Sequence, residues 1–292
     1  MGDNFESSLI NLGELSKPAT ILVEKTSDAV GGIFKPYQII RVAKAEAQAD
    51  RVRAENQIEI SDLHRRAFHR FLNEEAIKQN NIEQITEKAL PLLNEDSHPK
   101  EIDNDWIVSF FDRCRLISNE EMQTLWSRVL AGEANSPGRF SKRTLSFLTG
   151  LDKQEAEAFT LLCRFLWDIG VAVPLIYFGA PNYAFNEIYQ TNGINDQVLK
   201  DLESLGLIQL TDGAFVQPFP KAPVSYYGRR ILLNAANDND NLLRLPIGRA
   251  QFTRVGAELA PISGAHSIEG FYELMRDHWK SATWMTVSEL PD

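Results

Sequence analysis

From Glu101 to Trp167 the chain reads EIDNDWIVSFFDRCRLISNEEMQTLWSRVLAGEANSPGRFSKRTLSFLTGLDKQEAEAFTLLCRFLW, four helix-period segments in succession. This stretch limits the possible folds most, because each segment has one apolar stripe that must be buried against another element. Asp105 or a neighbour opens the first, with Trp106, Phe110, Cys114 and Ile117 on one face. Ser118-x-x-Glu121 has the form of a capping box. Met122, Leu125, Trp126, Val129 and Leu130 follow at alternating three- and four-residue spacing, and Gly132 stands where a left-handed C-cap would end the helix. Ser141 starts a third segment, with Leu145 and Leu148 inward and a stop at Gly150. Asp152-x-x-Glu155 starts a fourth, carrying Ala156, Phe159, Cys163, Leu166 and Trp167. The four are expected to pack on one another.

Upstream, Pro18 can begin a helix whose apolar members are Ile21, Leu22, Ala29, Ile33 and Phe34. Glu24, Lys25 and Asp28 interrupt it, so it cannot span a bilayer. It suits burial against the protein's own body, or peripheral contact with a membrane surface through Ile21, Leu22, Ile33 and Phe34. Gly31-Gly32 breaks the pattern and Pro36 opens the next helix. From Tyr37 to about Gln79 there is neither Pro nor Gly. Ala43, Ala45, Ala47 and Ala49, with Val52, make a shallow seam that needs a close-packed neighbour, so this helix is the candidate surface for a homo-oligomer or protein partner. Its phrase AKAEAQADRVRAENQ resembles the coiled segments of the prohibitin and flotillin class, without strict heptads. His64, Arg65, Arg66, His69 and Arg70 gather within it, but Glu59, Asp62, Glu74 and Glu75 lie near enough to pair with them. The polar break Lys78-Gln79-Asn80-Asn81 precedes a separate helix, Ile82 to Leu93, and a loop from Asn94 to Asn104.

Past Trp167 the texture turns to strands. Val171 to Phe178 is β-rich, Asn182 to Gln190 is a short helix or turn, and Asn195 to Leu205 is a helix with Val198, Leu199, Leu202 and Leu205 inward. Leu207 to Leu210 is a strand and Thr211-Asp212-Gly213 a turn signal. Further strands are expected at Phe215 to Phe219, Arg230 to Asn234 and Leu242 to Ile247, and a last helix from Ile268 to Lys280. LESLGLIQL followed by LPIGRAQFTRVGAELAPI is similar to what winged-helix domains show, a helix, a β-wing and a Thr-x-x-Gly-x-Glu-Leu turn. The fold class expected is therefore mainly α: an N-terminal tail and amphipathic segment (1–35), a long helical or coiled segment (36–100) and a helical core (101–168), then a small α+β winged-helix-like module (169–292).

The runs LWSRVLAGE and FSKRTLSFLTGLDKQEAEAF, with GGIFKPYQIIRVAKAEAQADRVRAENQ upstream, closely resemble a bacterial family known as domain of unknown function 2806, over about residues 20 to 210. A looser resemblance is to the abortive infection alpha proteins, which share a small-residue N-terminal segment and a helical block with a Leu-Trp pair. That kinship implies a part in antiphage defence. The first family has no assigned catalytic residues, so the resemblance carries none over.

Charge narrows the partners. With 30 Lys+Arg against 40 Asp+Glu the net charge is -10, a poor general basis for binding nucleic acid. A winged helix places its second helix in a DNA groove, yet Asn195 to Leu205 carries Asp196, Asp201 and Glu203 against Lys200. Arg229 and Arg230, in the supposed wing, are the only candidates there for backbone contact, and nucleic acid is not the favoured partner. Cys114 and Cys163 sit on apolar faces, as core members in a reducing compartment, and with no secretory signal the expected location is cytoplasmic. No metal or cofactor is expected. His64 and His69 are five apart, off a shared face, and the run Asn237 to Asn241 lacks the Gly and Glu of a calcium loop. No phosphate loop or nucleophile elbow occurs. The leading expectation is a non-enzymatic protein acting through assembly and partner contact, with a DNA-binding regulator and a membrane-surface effector as the alternatives.

Overall fold

Among the described residues, helices take the first half of the chain and strands enter only from Leu166. The structure, a computed structural model, describes residues 15–30, 62–177, 183–218, 222–236 and 244–290. Two compact units divide at residues 149 and 150.

In the first unit Ser16 caps α1 (Lys17–Val30), its hydroxyl accepting from the Ala19 amide at 3.3 Å. Ala19, Leu22, Val23 and Thr26 are buried, and α1 lies against α3 (Asn104–Cys114) and the 3-10 turn Pro99–Glu101. Between them α2 (Asp62–Ala89) is one continuous helix and packs on α4 (Glu120–Asn135). The break expected at Lys78 to Asn81 does not occur, because its polar groups serve docking. Buried Asn81 donates from Nδ2 to the Arg115 carbonyl at 2.9 Å and to Ser118 Oγ at 3.1 Å. Gln123 Nε2 donates to Ile117 O at 3.0 Å and Asn81 Oδ1 at 3.3 Å, and Lys88 Nζ reaches Gln123 Oε1 at 3.0 Å.

Two local expectations shift for the same reason. Ser118, engaged by Asn81, does not cap α4; Asn119 does, its side chain accepting from the Met122 amide at 3.0 Å. Gly132 is not a C-cap but an interior residue of α4, where a Cβ would come within 2.8 Å of the Phe140 ring. The next residue, Glu133, is buried, and its two oxygens accept from the amides of Gly138 (2.6 Å) and Phe140 (2.9 Å), clamping the loop into α5 (Lys142–Gly150). Asp103 rather than Asp105 caps α3. The core joins Trp106, Phe110 and Trp126 by ring contacts of 5.3 Å, with the Trp106 indole donating to the Phe140 carbonyl at 2.8 Å.

The second unit begins with α6 (Lys153–Cys163), opened by the expected capping box of Asp152 and Glu155. The helix ends at Cys163, so Leu166 and Trp167 leave it for β1 (Leu166–Asp168). Trp167 is drawn there by rings, stacked at 5.3 Å on Tyr226 and 5.7 Å on Tyr272 with Trp279 edge-on at 4.8 Å. β1 lies in a sheet of order β2-β1-β4-β5-β7, all antiparallel, with β2 (Ala172–Pro174), β4 (Val224–Tyr226), β5 (Arg229–Ala235) and β7 (Met285–Glu289). Tyr227 and Gly228, both at positive φ, turn β4 into β5, as a two-residue hairpin requires. β3 (Ile208–Pro218) and β6 (Arg244–Phe252) form a separate antiparallel ribbon. Thr211-Asp212-Gly213 is not a turn but part of β3, taken up as a register irregularity between Leu210 and Phe215. Helices α7 (Tyr183–Thr191), α8 (Asp196–Ser204), α9 (Arg254–Leu259) and α10 (Phe271–Lys280) complete the unit. Thr253 caps α9, and at Gly256 the backbone passes so near Leu207 that a Cβ would lie 2.0 Å from its carbonyl oxygen. The chain is thus mixed, mainly helical with small antiparallel sheets.

Candidate functional site

Polar groups held inside the protein are the first place to look for chemistry, and the buried Thr26, Thr86, Asn81, Gln123 and Glu133 are occupied in packing. Thr26 and Thr86 hydrogen-bond the carbonyls four residues back. Asn81, Gln123 and Glu133 make the contacts given above. Among the described residues no three His, Cys, Asp or Glu side chains converge as metal ligands. Both thiols are buried, and burial raises their pKa, to about 12 for Cys163, which keeps them protonated and weakly nucleophilic. The calcium-like run Asn237 to Asn241 lies outside the described residues.

The expected nucleic-acid residues sit elsewhere than supposed. Arg229 and Arg230 begin β5 in the five-stranded sheet, not on the β3/β6 ribbon, because the Tyr227-Gly228 turn belongs to the sheet. Arg229 is tied to Glu273 at 2.5 Å and lies 3.6 Å above the Tyr272 ring. The pair holds the Glu273 carboxyl below its ordinary pKa, chiefly through that hydrogen bond. On α8, Leu199 and Leu202 face inward and Asp196, Lys200, Asp201 and Glu203 are exposed, with Arg249 paired to Asp196 at 2.8 Å. This surface is acidic.

Of the residues considered for membrane contact, Leu22 is fully buried and Ile21 half-buried on α1, while Ile33 and Phe34 lie outside the described residues. None of the described helices is long and apolar enough to cross a membrane. The alanine seam with Val52 also lies outside the described residues.

Immediately downstream is a surface the sequence reading passed over. Only the last part of α2 is buried, at Asn81, Ile82, Ile85, Thr86 and Ala89. Every residue from Asp62 to Ile77 is exposed. Within that span Leu63 (66% exposed), Phe68 (55%), Phe71 (56%), Leu72 (45%) and Ile77 (50%) stand in water. Leu63, Ala67 and Phe71 form one four-residue row, and Phe68, Leu72 and Ala76 the adjacent one, so they make a single stripe. The arginine and histidine cluster drew attention to the polar side instead. There Arg65 meets Asp62 at 3.4 Å and Arg70 meets Glu74 at 3.3 Å, both exposed pairs of small worth. The signal was legible as apolar residues at spacings of 3, 4 and 5.

No match was found among curated proteins or among solved structures. A family model described as "Protein of unknown function (DUF2806)" matches residues 65–276, from the exposed part of α2 to α10 and most of the chain, and the chain belongs to that family.

Proposed function

We propose that this protein works by assembly and partner contact rather than by catalysis. The observation that carries the reading is the projecting half of α2, residues 62–77, exposed on every side and bearing five large apolar side chains. A four-turn helix standing alone in water is marginal, and apolar side chains left on it make it more so. Such a helix is worth keeping when something covers it. The alanine seam from Ala43 to Val52, upstream in the same Pro- and Gly-free stretch, extends the surface available to a partner.

The second unit serves in this reading as the docking module. Two short helices, α7 and α8, followed by the β3/β6 ribbon and α9, support a winged-helix-like assignment, and the exposed acidic face of α8 favours a protein partner over a nucleic acid. Resemblance to the abortive infection alpha proteins supplies antiphage defence as the setting. Multi-angle light scattering of the purified chain tests the central claim. Assembly predicts a mass above one copy at micromolar concentration, and a strict monomer that captures no protein partner overturns it. Plating phage on bacteria with and without the gene tests the setting, where equal plaque counts would remove it.

A further inference from the structure

Resting on the assembly reading, we propose that residues 62–77 of α2 pair antiparallel with the same residues of a second copy of this chain, about a two-fold axis near His69 and Arg70. The stripe must be covered from outside its own helix, and the end of α2 is already committed to α4. The order of charges along the helix selects the occupant.

Two borders flank the stripe. One is the row Arg66, Arg70, Glu74, Lys78; the other is Arg65, His69, Asn73, Ile77. In a parallel pair unlike borders meet, so Arg66 and Arg70 of one copy lie beside Arg65 and His69 of the other. Every near charge is then repelled or unanswered. In an antiparallel pair like borders meet with their order reversed, so Arg66 of each copy comes beside Glu74 of the other and Asp62, on the same row, beside Lys78. More broadly, Arg65 and Arg66 mark the start of the exposed segment and Glu74 and Glu75 its end, and reversal lays basic on acidic. Arg70, the exception, meets its own copy near the axis, where Glu74 of its own helix lies 3.3 Å away. A surface that complements itself after a half-turn is what an isologous dimer requires. At ~1.5 Å per residue the segment is ~24 Å long, enough to centre the aromatic pair Phe68 and Phe71 on the axis.

The test uses the full chain. Phe71→Asp and Phe68→Asp lie at exposed positions and are expected to leave the circular dichroism and melting of the body unchanged while lowering the light-scattering mass at least twofold. Direction is read by labelling Asp62→Cys with a nitroxide, since Cys114 and Cys163 are buried and leave the new thiol alone to react. Antiparallel pairing expects labels roughly 25 Å apart across the dimer; parallel pairing expects roughly 10 to 20 Å. A wild-type mass of one copy overturns this inference, and if that monomer also captures no protein partner the assembly reading falls with it. An assembly whose mass ignores both aspartates overturns this surface but leaves assembly standing. A twofold loss of mass with the short label distance overturns the antiparallel order alone.

Discussion

At Gly248 the chain has no freedom of residue choice. Its φ is +90°, and a Cβ would lie 2.1 Å from the Ile176 carbonyl oxygen, where a parallel bridge joins Ile176 to β6. Gly248→Ala combines strained backbone with a backbone clash, and should lower the unfolding free energy on the order of 3 kcal/mol in urea titration. Gly132→Ala meets only the edge of the Phe140 ring and should cost less, since a side chain can move. Glu133→Gln replaces one buried acceptor oxygen by a donor facing an amide, for a loss of about 2 kcal/mol by the same assay. His278 gives the pH dependence. Burial beside the Tyr177 and Phe185 rings pushes its pKa below the ordinary 6.5, so the unfolded chain takes up this proton first as pH falls. The contribution is nil above that value and destabilising below it. Melting temperature should therefore fall between about pH 7 and pH 5, and less so in His278→Phe. The lowered carboxylates Glu273, Asp277 and Glu289 act only at more acid pH, because their folded values lie below 4.5, 3.8 and 4.5.

At the scale of elements, what the sequence could show depended on whether a residue's role was local. The capping box at Asp152 and Glu155 needs only its own turn, and it stands as expected. Asn81 is different. By spacing it belongs to a polar break, yet it is buried because α2 meets the loop between α3 and α4 there, and its hydrogen bonds fix both the helix and the identity of the next cap. Nothing within a turn of Asn81 announces Arg115 or Ser118, which are 34 and 37 residues away. The same holds for Gly132, explained by a ring that arrives from Phe140, and for Trp167, taken out of its helix by Tyr226 and Tyr272 from distant strands and helices. Asn81→Ala should destabilise the first unit by about 2 kcal/mol, with loss of amide-exchange protection concentrated in the last turns of α2. The stripe on residues 62–77 is legible as apolar spacing, but three arginines in the same segment give it the look of a solvated, charged face.

For the whole molecule, charge decides between the remaining partner classes. The net charge is -10, the exposed face of α8 is acidic, and Arg229 is spent on Glu273 and Tyr272. Association with duplex DNA draws on cations that neutralise phosphates, and each such contact steepens the salt dependence. Arg230 is exposed beside Arg229, but one pair of arginines with its first member already bridged gives too few contacts to offset the long-range repulsion of ten excess negative charges. The full chain should pass a duplex-DNA column unretained at about 50 mM salt. Arg229→Ala/Arg230→Ala should pass at the same volume, while Glu273, released from its partner, should titrate at higher pH in carboxylate-resolved NMR. Retention of the wild type that weakens with salt and disappears in the double variant would favour nucleic-acid binding over the proposed assembly, and would show that the β4–β5 hairpin, rather than the β3/β6 ribbon, is what touches phosphate.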